Sequence, residues 1–181
     1  MQEITKDRMM QIEVSISNLL CEIDFNESPY VDIVSLVSKD GFIVVPQELD
    51  IETTGYLLVS EKERIISVNT MFKNPENEYD VEFKKSRFIT AHEYGHYILH
   101  KEEGEPIYAH RDTYHRTETI ELEADYFARS ILMPLKQFRL YYEVLLEISQ
   151  DKVFIVEMLS KVFQVTKNKV NKRIGDLLVL D

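Results

Sequence analysis

Arg87-Phe88-Ile89-Thr90-Ala91-His92-Glu93-Tyr94-Gly95-His96-Tyr97-Ile98-Leu99 is the stretch on which the fold of this chain turns. His92 and His96 stand at i and i+4, one helical turn apart on one face, so both imidazoles can converge on a single ion. Glu93, beside the first, is in place to take a proton from a water at that ion. Zn²⁺ suits such a site because it accepts nitrogen ligands tetrahedrally and lowers the pKa of its water to about 7. The flanking residues are apolar on nearly every side, so this helix is expected to be central and buried. Polar groups placed there need partners, which a metal would supply.

A catalytic zinc takes three protein ligands and a water. The third is sought in Glu121-Leu122-Glu123-Ala124-Asp125-Tyr126-Phe127-Ala128, where Glu121, Asp125, Ala128 and Leu132 share one helical face with Ala124 beside them. Two alanines allow close approach to the first helix, which puts Glu121 within reach of the ion. Asp125, one turn on, can accept a hydrogen bond from the free nitrogen of a ligating histidine and so fix its tautomer. Glu123 points roughly 160° away from Asp125, towards Phe127 and Ile131, and is the alternative third ligand. An acidic first turn favoured by the helix dipole would account for Glu121 and Glu123 without a metal, but not for the two alanines.

Other histidines are weaker candidates. His100 continues the i+4 series, yet it lies about 12 Å along the axis from His92, too far for both to hold one ion. His110 and His115 fall in a polar stretch. The longer pattern H-E-x-x-H-x-x-G-x-x-H is absent, with Leu99 at its glycine and Glu102 at its third histidine. A glutamate ligand is the better reading.

Taken together, Arg87 through His96, Glu121-x-Glu123-Ala124-Asp125-x-Phe127-Ala128 and Ile131-Leu132-Met133-Pro134 resemble the ImmA/IrrE family of metallopeptidases. Ile65-Ile66-Ser67-Val68-Asn69 and Phe163-x-Val165-Thr166-x-x-x-Val170-x-x-Arg173 also resemble parts of that family. The resemblance runs from about Gly55 to the C-terminus. One departure is Asp125, where asparagine is frequent in the family. The resemblance implies regulatory proteolysis, with helix-turn-helix repressors of mobile elements or stress responses as substrates.

A chain of 181 residues with 44% hydrophobic residues fits one domain with one core. No run of eighteen apolar residues predicts a membrane span. The segment Met1-Gln2-Glu3-Ile4-Thr5-Lys6-Asp7 lacks the pattern of a signal peptide, and the single cysteine cannot form an internal disulfide. These features predict a cytoplasmic protein. A net charge of −11 gives no electrostatic help towards nucleic acid.

Periodicity and breakers divide the single expected domain, 1–181, into four parts. Residues 1–40 carry N-terminal helices, the first with Met10, Val14, Ser17 and Cys21 on one side, which makes Cys21 a small core residue. Residues 41–70 form a small sheet. Phe42-Ile43-Val44-Val45 is one strand, and Gly55–Val59 and Arg64–Val68 are joined as a hairpin by Ser60-Glu61-Lys62-Glu63. Residues 80–134 hold the two metal-site helices, and 135–181 hold C-terminal helices ending in a hairpin like a helix-turn-helix. The expected class is α+β and zincin-like, a small antiparallel sheet packed against a mainly helical domain. Zincins often hold substrate as an added strand on a sheet edge, and Gly55–Val59 or Arg64–Val68 is the candidate edge.

The expected chemistry is water-mediated peptide hydrolysis at zinc held by His92, His96 and Glu121. Glu93 accepts the proton of the attacking water and passes it to the leaving amine. Tyr108, Tyr114 and His115 are candidate donors to the tetrahedral intermediate. Two rival readings stand beside this one. The segment from Leu159 to Arg173 outlines a helix-turn-helix with a basic second helix, which would make the chain a DNA-binding regulator; the acidic remainder of the chain opposes that. A peptidase-like fold that only binds a partner is the other, opposed by the intact Glu93.

Overall fold

The computed structural model describes residues 4–50, 53–70, 79–101, 108–109 and 118–180. Its α-carbons cluster into two compact units, one built on Asp32–Ala128 and the other on Ile4–Val31 with Arg129–Asp181.

The first unit begins with a capped helix. Asp32 accepts hydrogen bonds from the backbone N–H and the hydroxyl of Ser35, which starts α2 (Ile33–Lys39). Gly41, at φ +81°, turns the chain into β1 (Ile43–Gln47). β2 (Gly55–Val59) and β3 (Arg64–Asn69) form the expected hairpin, closed where Ser60 N–H donates to the carbonyl of Glu63. A short strand, β4 (Tyr108–Ala109), pairs antiparallel with β2 at Leu57 and Leu58.

The sheet order is β1-β3-β2-β4. The hairpin inserts its second strand between β1 and β2, so β3 runs parallel to β1, with Ile43 opposite Ile65 and Gln47 opposite Asn69. The α+β class is as expected, but the sheet is mixed rather than wholly antiparallel. Its central strand is β3, buried from Ile66 to Asn69. Arg64–Val68 is therefore not an edge, and Gly55–Val59, the other candidate, carries β4 on its far side at Leu57 and Leu58. Pro46 sits on β1, at the edge of the order, where a missing N–H is tolerated. Asn69 organises the connection between β1 and β2. Its amide donates to the carbonyls of Asp50 and Thr53, and its oxygen accepts from Leu49 N–H.

Against this sheet lies α3 (Tyr79–His100), the longest described helix, followed in the same unit by the first part of α4 (Glu118–Leu132). Thr90, Ala91, Glu93, Tyr94 and His96 are all buried, so α3 is as central as its flanks predict. Tyr94 donates to the carboxylate of Asp40 and packs edge-on against Phe42 and Phe127. Arg64 covers the ring of Tyr97 at 5.6 Å and donates to the Asp40 carbonyl.

In the second unit, Thr5 caps α1 (Lys6–Leu19), which buries Met9, Ile12 and Ile16. This corrects the expected face: Met10 and Val14 are exposed, and Cys21 lies beyond the helix end, also exposed. Two apolar stripes compete on α1, and the one with two isoleucines and Leu20 removes more area from water. α5 (Leu135–Ile148), α6 (Lys152–Phe163) and α7 (Lys167–Leu180) complete the unit. Gln164, at φ 52°, ends α6 in the left-handed conformation. Arg173 of α7 is fully buried. It donates to Glu13 and Ser130 at 2.7 Å each and to the Met133 carbonyl.

Candidate metal centre

His92 and His96 follow each other by one turn of α3, and their Nε2 atoms lie 3.1 Å apart. Glu121, in the first turn of α4, closes a triangle with them. Its Oε2 is 3.1 Å from His92 Nε2 and its Oε1 is 3.4 Å from His96 Nε2. The three donor atoms thus converge on one point between α3 and α4. Tetrahedral ligands at about 2.05 Å from a zinc would be about 3.3 Å from one another. The triangle has the size and the nitrogen and oxygen donors that such an ion requires, so the residues present fit the group. Among the described residues this is the one cluster of three or more histidines, cysteines or carboxylates suited to a metal.

The surroundings orient the donors. Asp125, one turn beyond Glu121, places Oδ1 3.3 Å from His92 Nδ1, so the ring can donate there and keep Nε2 for the ion. Burial would lower the pKa of His92, but hydrogen bonds to Asp125 and Glu121 and the charge of Glu93 outweigh it and raise the group to about 9. Burial would raise the Glu121 carboxyl, yet hydrogen bonds to His92 and His96 hold it far below the usual carboxylate range. Glu93 is buried. The Glu121 side chain keeps 40% of its exposure against 4% for His96, so the donor set is open on the Glu121 side.

Glu123 lies elsewhere: its Oε2 is 3.1 Å from His100 Nε2. The helix geometry explains why both glutamates meet α3. At about 100° per residue, Ala124 and Ala128 fall between the Glu121–Asp125 stripe and the Glu123–Phe127 stripe. Both alanines are fully buried. The small centre lets both flanks reach α3, Glu121 to the histidine pair and Glu123 to His100. The helices come close at Gly95, where a Cβ would sit 2.9 Å from Phe127 Cδ1. His100 enters from the sequence only as a ligand too distant to reach. The signal for its actual place is the same i+4 spacing, which sets it against His96, Nδ1 to Nδ1 at 3.3 Å.

Tyr114 and His115, proposed as oxyanion donors, lie outside the described residues, as does the side chain of Tyr108, which contributes only its backbone to β4. Gly55, at the start of β2, is the point where the sheet meets the site. A Cβ there would lie 2.5 Å from Ile89 and 3.6 Å from Glu93 Oε1.

The family model of the IrrE N-terminal-like domain, a peptidase family designated M78, matches residues 77–175, more than half of the chain. This chain belongs to that family. The matched span contains α3 to α6 and the first part of α7, so the IrrE-like assignment rests on the segment that carries the donor cluster. A solved structure titled Mycobacterium tuberculosis transcriptional regulator shares the fold, with a TM-score of 0.52 at 15% identity over 93% of this chain. The alignment takes in 47% of that protein, so the present chain spans less than half of its length. No curated protein matches the chain at a significant level. No described helix is long and apolar enough to cross a membrane.

Proposed function

We propose that this member of the IrrE-like peptidase family is a zinc-dependent endopeptidase, acting as one module over the whole chain. The observation that carries the reading is the triangle of His92, His96 and Glu121, with edges of 3.1, 3.1 and 3.4 Å, one residue from the buried Glu93. His92 and His96 would each give an Nε2 lone pair to the metal and Glu121 a carboxylate oxygen. When bound, the metal supplies positive charge that polarises a peptide carbonyl and acidifies a water. Glu93 is the base: it accepts a proton as the water oxygen attacks the carbonyl carbon, and returns it to the leaving amine nitrogen when the C–N bond breaks. Asp125 keeps His92 aimed throughout.

Substrate would enter as an extended segment along β2. Leu57 and Leu58 pair with β4, and Gly55, ahead of them, lies beside Ile89 and Glu93 of α3. Backbone pairing of this kind tolerates many sequences, so selectivity must come from elsewhere in the partner. The substrate class we propose is a helix-turn-helix repressor, in keeping with the family resemblance. A solved relative in fold is itself titled a transcriptional regulator. Direct DNA reading by this chain is disfavoured, because Arg173, the central cation of α7, is spent inside the protein on Glu13, Ser130 and Met133.

Two measurements test the reading. Protein purified without chelator is expected to hold about one zinc per chain. The metal should persist in Glu93→Gln and be lost in His92→Ala, His96→Ala or Glu121→Ala. Wild type with neither bound zinc nor affinity for it would sink the proposal. Co-expression with a repressor encoded beside the gene should yield cleaved repressor with wild type and intact, captured repressor with Glu93→Gln. A roughly 10²–10⁴-fold loss of rate is expected for removing the base. Identical fragments from both would assign the cut to another protease, and intact repressor bound by both would favour a binding role.

A further inference from the structure

Beyond the donor triangle, α3 and α4 hold a second line of polar groups. His96 Nδ1 is 3.3 Å from His100 Nδ1, and His100 Nε2 is 3.1 Å from Glu123 Oε2. The side chains are largely shielded, at 4% exposure for His96, 16% for His100 and 11% for Glu123. Two ring nitrogens brought this close are favourable only when one carries a proton directed at the other's lone pair. An imidazole that gives Nε2 to a metal carries its remaining proton on Nδ1. His96 then donates to His100 Nδ1, His100 must hold its own proton on Nε2, and that proton meets the Glu123 carboxylate. Each proton position follows from the one before it.

We propose that His100 and Glu123 are positioning residues, a relay that fixes the ring and tautomer of His96 as Asp125 does for His92. The proposal rests on the reading of His92, His96 and Glu121 as a metal site. The two histidine ligands would thus be held by different devices. A carboxylate bonds directly to His92, whereas a neutral imidazole backed by a carboxylate bonds to His96. Glu123 acts on the site through His100, and not as a ligand. Partners of ligating histidines typically carry a 10- to 100-fold effect on metal affinity.

The test combines zinc competition against a chromophoric chelator with nitrogen-15 NMR of the histidine rings in the zinc-loaded protein. The spectrum of wild type should show His96 protonated on Nδ1 and His100 protonated on Nε2. Zinc affinity should fall roughly 10- to 100-fold in His100→Leu and less in Glu123→Gln, which keeps an acceptor without the charge. His100→Gln, whose side-chain carbonyl can accept from His96, should recover part of the loss, which a merely space-filling role for His100 would not produce. Equal affinity in wild type and His100→Leu, or His100 protonated on Nδ1, overturns the relay while leaving the metal site standing. Wild type that binds no zinc overturns both. Should a variant fail to fold, the ring protonation of wild type still decides.

Discussion

Asp125 and His92 are joined across α3 and α4 by a 3.3 Å contact from Oδ1 to Nδ1, on the side of the ring opposite the nitrogen that faces Glu121. Asp125 therefore controls which nitrogen of His92 is available. Asp125→Ala is expected to weaken zinc binding roughly 10- to 100-fold. Asp125→Asn, which keeps an oxygen to accept the same hydrogen bond, should lose only a few-fold. Chelator competition on the two variants checks this, and an alanine variant as tight as wild type would remove Asp125 from the site.

The same contact predicts how metal binding depends on pH. His92 is raised to about 9 in the metal-free protein, against an ordinary value of 6.5. Near neutrality it is therefore protonated, and a metal must displace that proton. Affinity should rise about tenfold per pH unit below this value and flatten near it. The contribution of His92 to the stability of the metal-free fold has the opposite sense, being complete below pH 6.5 and lost as the pH rises through about 9. Calorimetric titration at about pH 7 in buffers of different ionisation enthalpy should report one proton released per zinc. Release of none would show that His92 is already neutral.

How far the sequence discloses this structure can be judged from particular residues. The i+4 histidines, the alanines at 124 and 128 and the breakers around the strands are local signals. They predict the β2–β3 hairpin to within one residue, and one helix through His92 and His96 with another through Glu121 and Asp125. Two features depend on distant partners. Nothing local to Ile43–Gln47 records that β3 will lie beside it in parallel, because the pairing is decided by where the hairpin inserts. Nothing local to α1 says which of its two apolar stripes meets the core, and the expectation for Cys21 failed for that reason. At the site, Glu123 is 160° from Asp125 by helical geometry, but a face centred on two alanines is narrow enough for both flanks to reach α3.

Two glycines bring the elements around the site close together, and they should differ in cost when filled. At Gly95 a Cβ would meet three atoms of the fully buried Phe127 side chain at 2.9–3.3 Å. Overpacking of that kind costs about 1–3 kcal/mol, against a gain of about 1 kcal/mol from replacing glycine in a helix. At Gly55 a Cβ would meet Ile89 at 2.5 Å and the backbone oxygen of Ser67 at 2.7 Å, and backbone cannot swing away. Gly55→Ala should therefore destabilise the protein more than Gly95→Ala in urea unfolding. Since the clash falls on Ile89, one turn before Glu93 on α3, it should also reduce cleavage beyond its effect on folding. A Gly95→Ala variant more stable than wild type would show that Phe127 moves aside freely.

Arg173 links stability to the question of nucleic acid. Its guanidinium is fully buried, and Glu13 receives hydrogen bonds both from it and from the Ser130 hydroxyl at 2.8 Å. Arg173→Met keeps much of the volume but strands the Glu13 carboxylate, and removing one member of a buried pair costs about 3–5 kcal/mol. Adding Glu13→Gln should recover part of that loss, because the stranded charge is then gone. With Arg173 turned inward, Lys167, Lys169 and Lys172 are the cations of α7 that would have to carry any binding to DNA. Lys167 already pairs with Glu157 at 3.3 Å, and the chain as a whole has a charge of −11. Random duplex titrated at low salt should therefore show no tight, salt-sensitive complex with wild type. Tight binding that falls steeply with added salt and is abolished by Lys169→Glu with Lys172→Glu would overturn the assignment of this hairpin to a structural role.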